Sequence, residues 1–269
     1  MNIAFTSFRL PKAGNTIEEC EDWAATHPHL ENGGSYELND SPLGYFRFAV
    51  ADGATEGMFS SKWAEMLVKN FCRTKDTIND LKTVVDKACR NWDSWIRNYI
   101  EKRERRNKPL RWYEEPGLKA GSFSTLLGLK LADLGKMSNG RWEAVAIGDT
   151  CLFQVKNESL VQKFPIGSSS EFSNRPALVS SNPVKNKKVF ETNNALEGDW
   201  GIGDSFYLMT DALASWFFQE LESGSSPWNV LSEFESGVGQ NAFLAWIEGL
   251  RSAKKIRNDD VTLVCIRIV

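Results

Sequence analysis

Short apolar runs that stop at an acidic residue recur along the chain and predict buried β-strands. Tyr45–Ala51 (YFRFAVA) is such a run, and its bounds at Pro42–Gly44 and Asp52–Gly53 favour a strand over a helix. The runs WEAVAIGD, DSFYLMTD and DDVTLVCIRIV have the same character, and GSFSTLLGLKLAD also predicts a strand. Asn157–Glu158, between two such stretches, predicts the tip of a β-hairpin.

Helical spacing of apolar residues predicts helices between these strands. In Ser60–Arg73 two serines suit an N-cap, and Trp63 and Leu67 fall on one helical face. A longer helix is expected over roughly 77–106, where apolar residues repeat every three or four positions. Three more helices are predicted over ALASWFFQEL, Pro227–Glu235 and Gln240–Ser252.

The order of these elements indicates the fold class. Strands and helices come in blocks, so the strict alternation of a doubly wound parallel sheet is absent. The chain also has no GxxxxGK or GxGxxG loop for binding phosphate groups. We therefore expect an α+β protein of antiparallel sheets flanked by helices.

Composition excludes some functions. The 269 residues permit one large domain with a substantial core, and 42% hydrophobic with 25% charged residues is ordinary for a globular protein. A net charge of −3 and a pI near 5.6 argue against nucleic-acid binding through a broad basic face. A phosphoprotein substrate stays open, because it needs only local positive charge.

The cysteines argue against a zinc site and favour a reducing compartment. The five are scattered without a Cys-x-x-Cys pair, and the chain has only two histidines. No apolar run has the length of a signal peptide core at the N-terminus or of a membrane span elsewhere. We expect a cytoplasmic protein that does not bind membranes.

Five acidic residues form the strongest functional signal. They lie where apolar segments become polar, and carboxylates that converge in a folded protein need a cation among them. No lysine or arginine lies beside most of them in the sequence, so a hard metal ion such as Mg²⁺ or Mn²⁺ is the expected cation. The five are Asp22, Asp52, Asp149, Asp211 and Asp259.

Six segments in order resemble the motifs of the protein phosphatase 2C family, the PPM-type metal-dependent serine/threonine phosphatases. Each motif alone is weak, since Asp-Gly is a common turn dipeptide, but their order spans nearly the whole chain. The resemblance indicates a divergent bacterial-type member. The segments are CEDW at 20–23, FAVADGATEG at 48–57, GSFSTLLGLKL at 121–131, AIGDT at 146–150, YLMTDALASWF at 207–217 and NDDVTLVCI at 258–266.

The resemblance implies a four-layer αββα sandwich, two antiparallel sheets packed face to face between helices, with two metal ions at one edge. Carried over by motif, Asp52 would bridge two ions and the carbonyl of Gly53 would bind one of them. Asp211 and Asp259 would ligate the other ion. Catalysis would therefore rest on these three aspartates, with Mn²⁺ or Mg²⁺ as the cofactor.

Further residues would have supporting roles in the same comparison. Glu21 and Asp22 would contact metal-bound water, and Asp149 would hold a third ion, although a structural role for it stays open. The family often has an arginine just before the Glu-Asp motif to bind the substrate phosphate. Ile17 stands there in this chain, and Arg9 is the candidate to replace that arginine.

The implied reaction is hydrolysis of phosphoserine or phosphothreonine by a water or hydroxide that bridges the two ions. A phosphocysteine mechanism is not expected, because the chain has no Cys-x5-Arg loop. The alternative is an inactive pseudophosphatase that binds phosphoproteins in a regulatory role. A metal-dependent nuclease also needs clustered carboxylates, but the acidic pI disfavours it.

Departures from the family pattern favour the pseudophosphatase alternative. Residues 54–57, ATEG, stand where the family has its glycine-rich turn after Asp52-Gly53. Ala212 stands where the family has a glycine after the later aspartate. Ser215 stands four positions after Asp211, where the family has an acidic residue, which weakens the case for a third ion.

The expected organisation is a single phosphatase domain over residues 1–269 that acts as a monomer. The segment 164–194 is rich in Ser, Asn and Pro and matches the position of the family's variable flap, so we expect it to govern substrate choice. The expected partners are a phosphorylated protein and a cognate serine/threonine kinase in a signalling pathway.

Overall fold

The structure of the chain is a computed structural model that describes residues 1–38, 41, 44–55, 57–75, 78, 80–136, 139–173, 175–191, 194–235 and 239–269. The strands in chain order are β1 (Asn2–Leu10), β2 (Trp23–His27), β3 (Gly34–Glu37), β4 (Tyr45–Ala51), β5 (Phe123–Ser124), β6 (Leu126–Lys136), β7 (Asn139–Ile147), β8 (Cys151–Lys156), β9 (Ser159–Phe164), β10 (Val179–Ser180), β11 (Ala195–Gly201), β12 (Ser205–Met209) and β13 (Val261–Ile268).

The α-helices lie in two groups along the chain, one before β5 and one after β12. They are α1 (Ser60–Arg73), α2 (Leu81–Arg105), α3 (Glu115–Ala120), α4 (Asp211–Glu222), α5 (Trp228–Leu231) and α6 (Gln240–Ser252). Short 3-10 turns cover Ile17–Glu19, Ser169–Glu171, Pro183–Asn186 and Ser232–Phe234.

Two antiparallel sheets form the centre of the molecule. One has six strands in the order β3-β1-β13-β12-β8-β9, and the other has five in the order β11-β7-β6-β4-β2. A small third sheet pairs β10 with β5. Because β1, β2 and β3 complete the sheets through long-range pairing, the N-terminal segment belongs to both layers.

Apolar side chains from the inner faces of the two sheets form the central core. Strand side chains alternate between faces, so every second residue of β4 and β6 points inward. Phe46, Phe48 and Leu129 from the five-stranded sheet join Val264 and Ile266 from the six-stranded sheet in one buried cluster. This contact between sheets fixes the separation of residues that extend from their ends.

Helices cover the outer face of each sheet. Against the five-stranded sheet lie α1 and α2, where Trp63 and Trp92 are buried in a separate apolar cluster. Against the six-stranded sheet lie α4 and α6, where Phe217 and Phe243 are buried. The layer order is therefore helix, sheet, sheet, helix, and the predicted αββα sandwich is confirmed.

Most elements have the bounds that the sequence predicts. The strand Tyr45–Ala51 and the helices Ser60–Arg73 and Gln240–Ser252 are found as expected. The second helix begins only at Leu81, where the Asp80 side chain accepts a hydrogen bond from the Thr83 amide. The expected start at Thr77 lies outside the described residues.

Between β9 and β11, the described residues of the segment 164–194 form short elements, the 3-10 turns Ser169–Glu171 and Pro183–Asn186 and the strand β10. Pro42 at the expected start of β4 also lies outside the described residues. Among the helices of the described ranges, none combines the length and apolarity needed to cross a membrane. The five cysteines are all buried and free.

Candidate active site

Strand pairing brings Asp22 and Asp52 to one end of the five-stranded sheet. Ala51, the last residue of β4, pairs with Trp23, the first residue of β2. Asp52 therefore leaves the sheet where Asp22 enters it. At the same end, the start of β6 pairs with the end of β7 through Leu126 and Ile147, just before Asp149.

The six-stranded sheet supplies the other two acidic residues from its corresponding end. Met209 at the end of β12 pairs with both Leu263 of β13 and Cys151 of β8. Asp211 follows β12 through Thr210, and Asp259 precedes β13 by two residues. The acidic cluster therefore spans the ends of both sheets.

Three of the five aspartates line a single cleft of about 560 Å³. These are Asp52, Asp149 and Asp211. Arg175 and Leu178, from the segment between β9 and β11, also line it. The cleft thus combines three carboxylates with residues of the segment that the sequence predicts to be a flap.

The backbone of Asp52 is held by the strand that follows it in the sheet. The Asp52 amide donates to Oγ1 of Thr125 at 2.9 Å, and the Thr125 amide donates to the Asp52 carbonyl at 2.9 Å. Oγ1 of Thr125 also lies 2.7 Å from Oγ1 of Thr150, next to Asp149. One buried threonine therefore fixes the distance between the turns that contain these two aspartates.

Burial and mutual repulsion raise the pKa values of the cleft carboxylates. Asp52 keeps part of its surface open to the cleft, yet burial raises its pKa well above the usual range, and four neighbouring aspartates raise it further. Burial and the charge of Asp211 raise the pKa of Asp149 to about 7. Burial likewise raises the pKa of Asp211, and Arg257 offsets part of that effect. Such a cluster favours an added cation.

Glu21 is fixed beside the turn that follows Asp52. Its carboxylate accepts hydrogen bonds from the Thr55 hydroxyl, at 2.5 Å, and from the Ser60 hydroxyl. Gly53 lies between these groups, and a Cβ added to it would be 2.9 Å from both the Glu21 carbonyl oxygen and the Ser60 carbonyl group. Only glycine fits there without a backbone shift.

Asp22 is completely buried beneath the cluster. Its Oδ2 accepts a hydrogen bond of 2.8 Å from Oγ1 of Thr210, the residue before Asp211. Burial raises the pKa of Asp22 well above its usual range, and the Asp260 charge raises it further. Asp22 thus connects β2 with the end of β12.

Asp260 is a structural residue, whereas Asp259 lies nearer to the cleft. The carboxylate of Asp260 accepts hydrogen bonds of 2.7 Å from the amides of Lys12 and Glu21 and is buried. The charge of Asp259 contributes to the raised pKa of Asp52. The charge of Asp259 therefore acts on Asp52 at the cleft, whereas the charge of Asp260 acts on the buried Asp22.

Arg257 is a cation within the cluster that the sequence analysis missed. Its guanidinium donates to Oδ2 of Asp211, and half of its side chain is exposed. In the sequence no lysine or arginine lies beside most of the carboxylates, yet the turn before β13 brings Arg257 beside Asp211 in space. The signal in the sequence was its position two residues before Asp259.

Arg9 lies away from the residues that line the cleft. Its guanidinium donates to the carbonyls of Asp22, at 3.3 Å, and of Ile17, at 3.4 Å. It also lies 4.4 Å from the ring centroid of Trp23, a cation–π distance. Arg9 thus joins β1 to the Glu-Asp segment, and its binding of substrate phosphate stays a prediction.

The donor set fits hard divalent cations. Carboxylates and a glycine carbonyl are the oxygen ligands that Mg²⁺ and Mn²⁺ prefer, and the raised pKa values record a shortage of positive charge. As the side chains stand, no group of three or more His, Cys, Asp or Glu in the described ranges forms a ready ligand set. Glu21 and Asp211 instead bind protein partners, which metal binding would have to displace.

Solved structures with related architecture include known phosphatases. The serine/threonine phosphatase PstP/Ppp of Mycobacterium tuberculosis matches with a TM-score of 0.51 and 14% identity, covering 100% of this chain and 99% of that one. The photosystem II phosphatase PBCP matches with a TM-score of 0.54 and 14% identity, covering 99% of both chains. At such identities the likeness shows a shared fold.

A third structure, from work on the bacterial stressosome, matches with a TM-score of 0.51 and 15% identity and covers 98% of this chain and 99% of that one. No curated protein sequence matches the chain. The family model for protein phosphatase 2C matches residues 38–248, which is most of the chain. The match includes three of the five acidic positions, the cleft residues Asp52, Asp149 and Asp211, and leaves Asp22 and Asp259 outside its ends. The chain belongs to the protein phosphatase 2C family.

Proposed function

We propose that the protein is a metal-dependent phosphatase that hydrolyses phosphoserine and phosphothreonine in proteins. The observation that carries this proposal is the convergence of Asp52, Asp149 and Asp211 on one cleft, although they come from separate strand ends in two sheets. Membership of the protein phosphatase 2C family supports the reaction class.

Each residue has a proposed role in this reaction. Asp52, Asp211 and Asp259, together with the carbonyl of Gly53, would hold two divalent cations, and Glu21 would orient water beside them. When bound, Mn²⁺ or Mg²⁺ lowers the pKa of the attacking water and offsets the charge on the phosphoryl oxygens. Asp22 helps to position Asp211, because its carboxylate accepts a hydrogen bond from Thr210, the residue before Asp211. Asp149 is the weakest candidate ligand, since Ser215 replaces the expected acidic partner.

The substrate enters beside the segment 164–194. Arg175, Pro176 and Leu178 from this segment line the cleft, which supports a part for it in peptide selection. We propose that residues 1–269 act as one domain on a protein phosphorylated by a cognate kinase. Exchange of the segment should change peptide preference while the hydrolysis of a small aryl phosphate is preserved.

Hydrolysis of a small aryl phosphate with Mn²⁺ tests the reaction. The wild type should turn over this substrate, and Asp52→Asn should lower the rate at least roughly a hundredfold, because it removes a ligand worth several kcal/mol of charge stabilisation. Asp93→Asn, on an exposed position of α2, is the matched control and should leave the rate unchanged. Equal rates in wild type and Asp52→Asn would refute the enzyme assignment.

The second candidate is a pseudophosphatase that binds phosphoproteins without hydrolysing them. The observation that favours it is the contact between Arg257 and Asp211, which gives a metal-ligand carboxylate a protein cation instead. This candidate predicts partner binding with weak or absent metal uptake. Calorimetric titration with Mn²⁺ separates the two, since an enzyme should bind the ion and lose affinity in Asp211→Ala.

A further inference from the structure

A second pocket, of about 430 Å³, lies next to the acidic cleft and is lined by cations. We call it the basic pocket; it lies between the start of α4 and the turn that joins α6 to β13. Within the described part of the chain no acidic side chain lines it. The pocket is therefore positively charged, although the net charge of the protein is −3. Its charged lining residues are Arg251, Lys254, Lys255 and Arg257.

Two arginines connect the basic pocket to the catalytic carboxylates. Arg257 lines the pocket and donates to the Asp211 carboxylate. Nη2 of Arg251 donates to the Asp259 carbonyl at 2.6 Å and to the Pro11 carbonyl at 2.9 Å. A group bound in the pocket would therefore lie beside the aspartates of the proposed metal site.

The positive charge of the pocket is only partly balanced by the protein. Arg257 pairs with Asp211, and Lys255 pairs with Glu220 at 3.0 Å. Neither Arg251 nor Lys254 forms a salt bridge with any described residue. The pocket therefore has an excess of cations over carboxylates that contact them.

Lys254, which lines the basic pocket, has an unusual backbone conformation. It follows the end of α6 with a φ of 56°, the left-handed region in which glycine is the common residue after a helix. Its side chain is exposed and makes no hydrogen bond to the described residues. An exposed, unpaired lysine in a pocket wall is available to an anionic ligand.

Position 215 has a neutral serine where the family has an acidic residue, whose negative charge would repel such a ligand. It lies one turn after Asp211 on α4 and lines the basic pocket. Its Oγ accepts a hydrogen bond of 3.3 Å from Nε2 of Gln219, another neutral lining residue. An aspartate at position 215 would face the same cations and reduce the net positive charge of the pocket.

We propose that the basic pocket binds a second anionic group of the substrate, next to the phosphoresidue that is hydrolysed. The inference rests on the proposed phosphatase function and adds a substrate class, phosphopeptides with a further anion close to the target residue. The shared chemistry is a compact anion, supplied either by an Asp or Glu carboxylate or by a second phosphate. Arginine and lysine side chains suit both.

Binding of labelled peptides, measured by fluorescence anisotropy in EDTA so that no turnover occurs, tests this proposal. Three phosphoserine peptides are compared, with neighbouring glutamates, with a neighbouring second phosphoserine, or with glutamines. The wild type should bind either anionic peptide roughly tenfold more tightly than the glutamine peptide. In Lys254→Gln/Lys255→Gln the difference should shrink severalfold, because an exposed ion pair contributes roughly two- to fivefold.

Three further variants keep the test specific. Ser215→Asp should shrink the difference without loss of a lysine, whereas Ser215→Asn should preserve it. Lys102→Gln, an exposed position on α2 in the opposite helix layer, is the matched control for charge and should match the wild type. Loss confined to the glutamate peptide identifies a carboxylate ligand, and loss confined to the doubly phosphorylated peptide identifies a phosphate ligand.

Equal binding of all three peptides by the wild type would overturn the proposal, as would an undiminished difference in both the lysine variant and Ser215→Asp. These outcomes do not depend on hydrolysis. A protein without phosphatase activity that still discriminates between the peptides would contradict the proposed function alone. An active enzyme that does not discriminate would contradict the basic pocket alone.

Discussion

The guanidinium of Arg257 donates a hydrogen bond to Oδ2 of Asp211, at the boundary between the acidic cleft and the basic pocket. Arg257 comes from the turn before β13, and Asp211 is the first residue of α4. The pair gives the cleft a cation from the protein itself. In the proposed metal site this arginine would compete with a metal ion for the same carboxylate.

Removal of this arginine should strengthen metal binding. In Arg257→Gln the Asp211 carboxylate loses its protein cation, so Mn²⁺ should bind roughly fivefold more tightly, as expected for a partly exposed ion pair worth about 1 kcal/mol. Isothermal calorimetry measures the change. Arg111→Gln, which replaces an exposed arginine, is the control. Weaker Mn²⁺ binding in Arg257→Gln than in this control would contradict the prediction and would show that Arg257 stabilises the residues around the ion.

Asp149 should make the metal-free protein less stable as the pH rises. Its pKa is about 7 in the folded chain against an ordinary value of 3.8, so the folded state retains a proton that the unfolded state releases. The stabilising effect is complete below pH 4 and is lost as the pH rises to about 7. Asp149→Asn should remove part of this slope and raise the free energy of unfolding at pH 8 by on the order of 2 kcal/mol.

Urea unfolding in EDTA between pH 4.5 and 8 measures this effect. Asp52 and Asp211 have raised pKa values and contribute in the same direction, so some slope should persist in Asp149→Asn. Asp93→Asn on the surface of α2 should retain the full slope. A wild-type stability that rises between pH 4.5 and 7 in EDTA would contradict the assignment.

The hydrogen bond from Thr210 to Asp22 should be worth more than an ordinary surface bond. Both residues are fully buried, so Thr210→Val removes this donor to Asp22, and also the acceptor of the Thr262 amide, where water cannot replace them. We expect the free energy of unfolding to fall by about 2–3 kcal/mol. Thr210→Ser retains the hydroxyl and should recover most of the loss; equal destabilisation in both variants would attribute the effect to packing.

Gly53→Ala should impair the site through its backbone. The added Cβ would meet the backbone of Glu21 and Ser60 at 2.9 Å, so the turn after Asp52 must move. We expect a loss of stability of about 1–3 kcal/mol and a Mn²⁺-dependent rate at least roughly tenfold lower. Gly249→Ala is the control, because its exposed site in α6 has no atom within 4 Å and alanine should stabilise the helix by about 0.5–1 kcal/mol.

Local signals explain which elements were predicted well. Gly44 and Asp52–Gly53 flank β4 directly, and the apolar residues on one face of α1 and of α6 indicate these two helices. The β-hairpin at Asn157–Glu158 is also found, with both residues at positive φ. In these cases a few neighbouring residues determine the conformation.

Local sequence patterns do not predict features that depend on partners distant in the sequence. β2 (WAATH) is a half-buried edge strand without alternation of apolar and polar residues, and its pairing with β4 makes it a strand. α4 begins one residue before the predicted stretch ALASWFFQEL, with Thr210 as its N-cap and Asp211 as its first helical residue. Arg257 and the basic pocket arise from segments far apart in sequence, so no local pattern marks them.

The acidic cleft takes Asp52 from the end of the five-stranded sheet and Asp211 from the end of the six-stranded sheet. A ligand held by both residues is therefore a noncovalent crosslink between the two layers, in addition to the apolar contacts of their inner faces and to hydrogen bonds such as that from Trp142 to Gln154. Separation of the sheets would require release of that ligand. Occupancy of the site and cooperative unfolding of the whole sandwich are thus coupled by the topology, independently of the chemistry performed there.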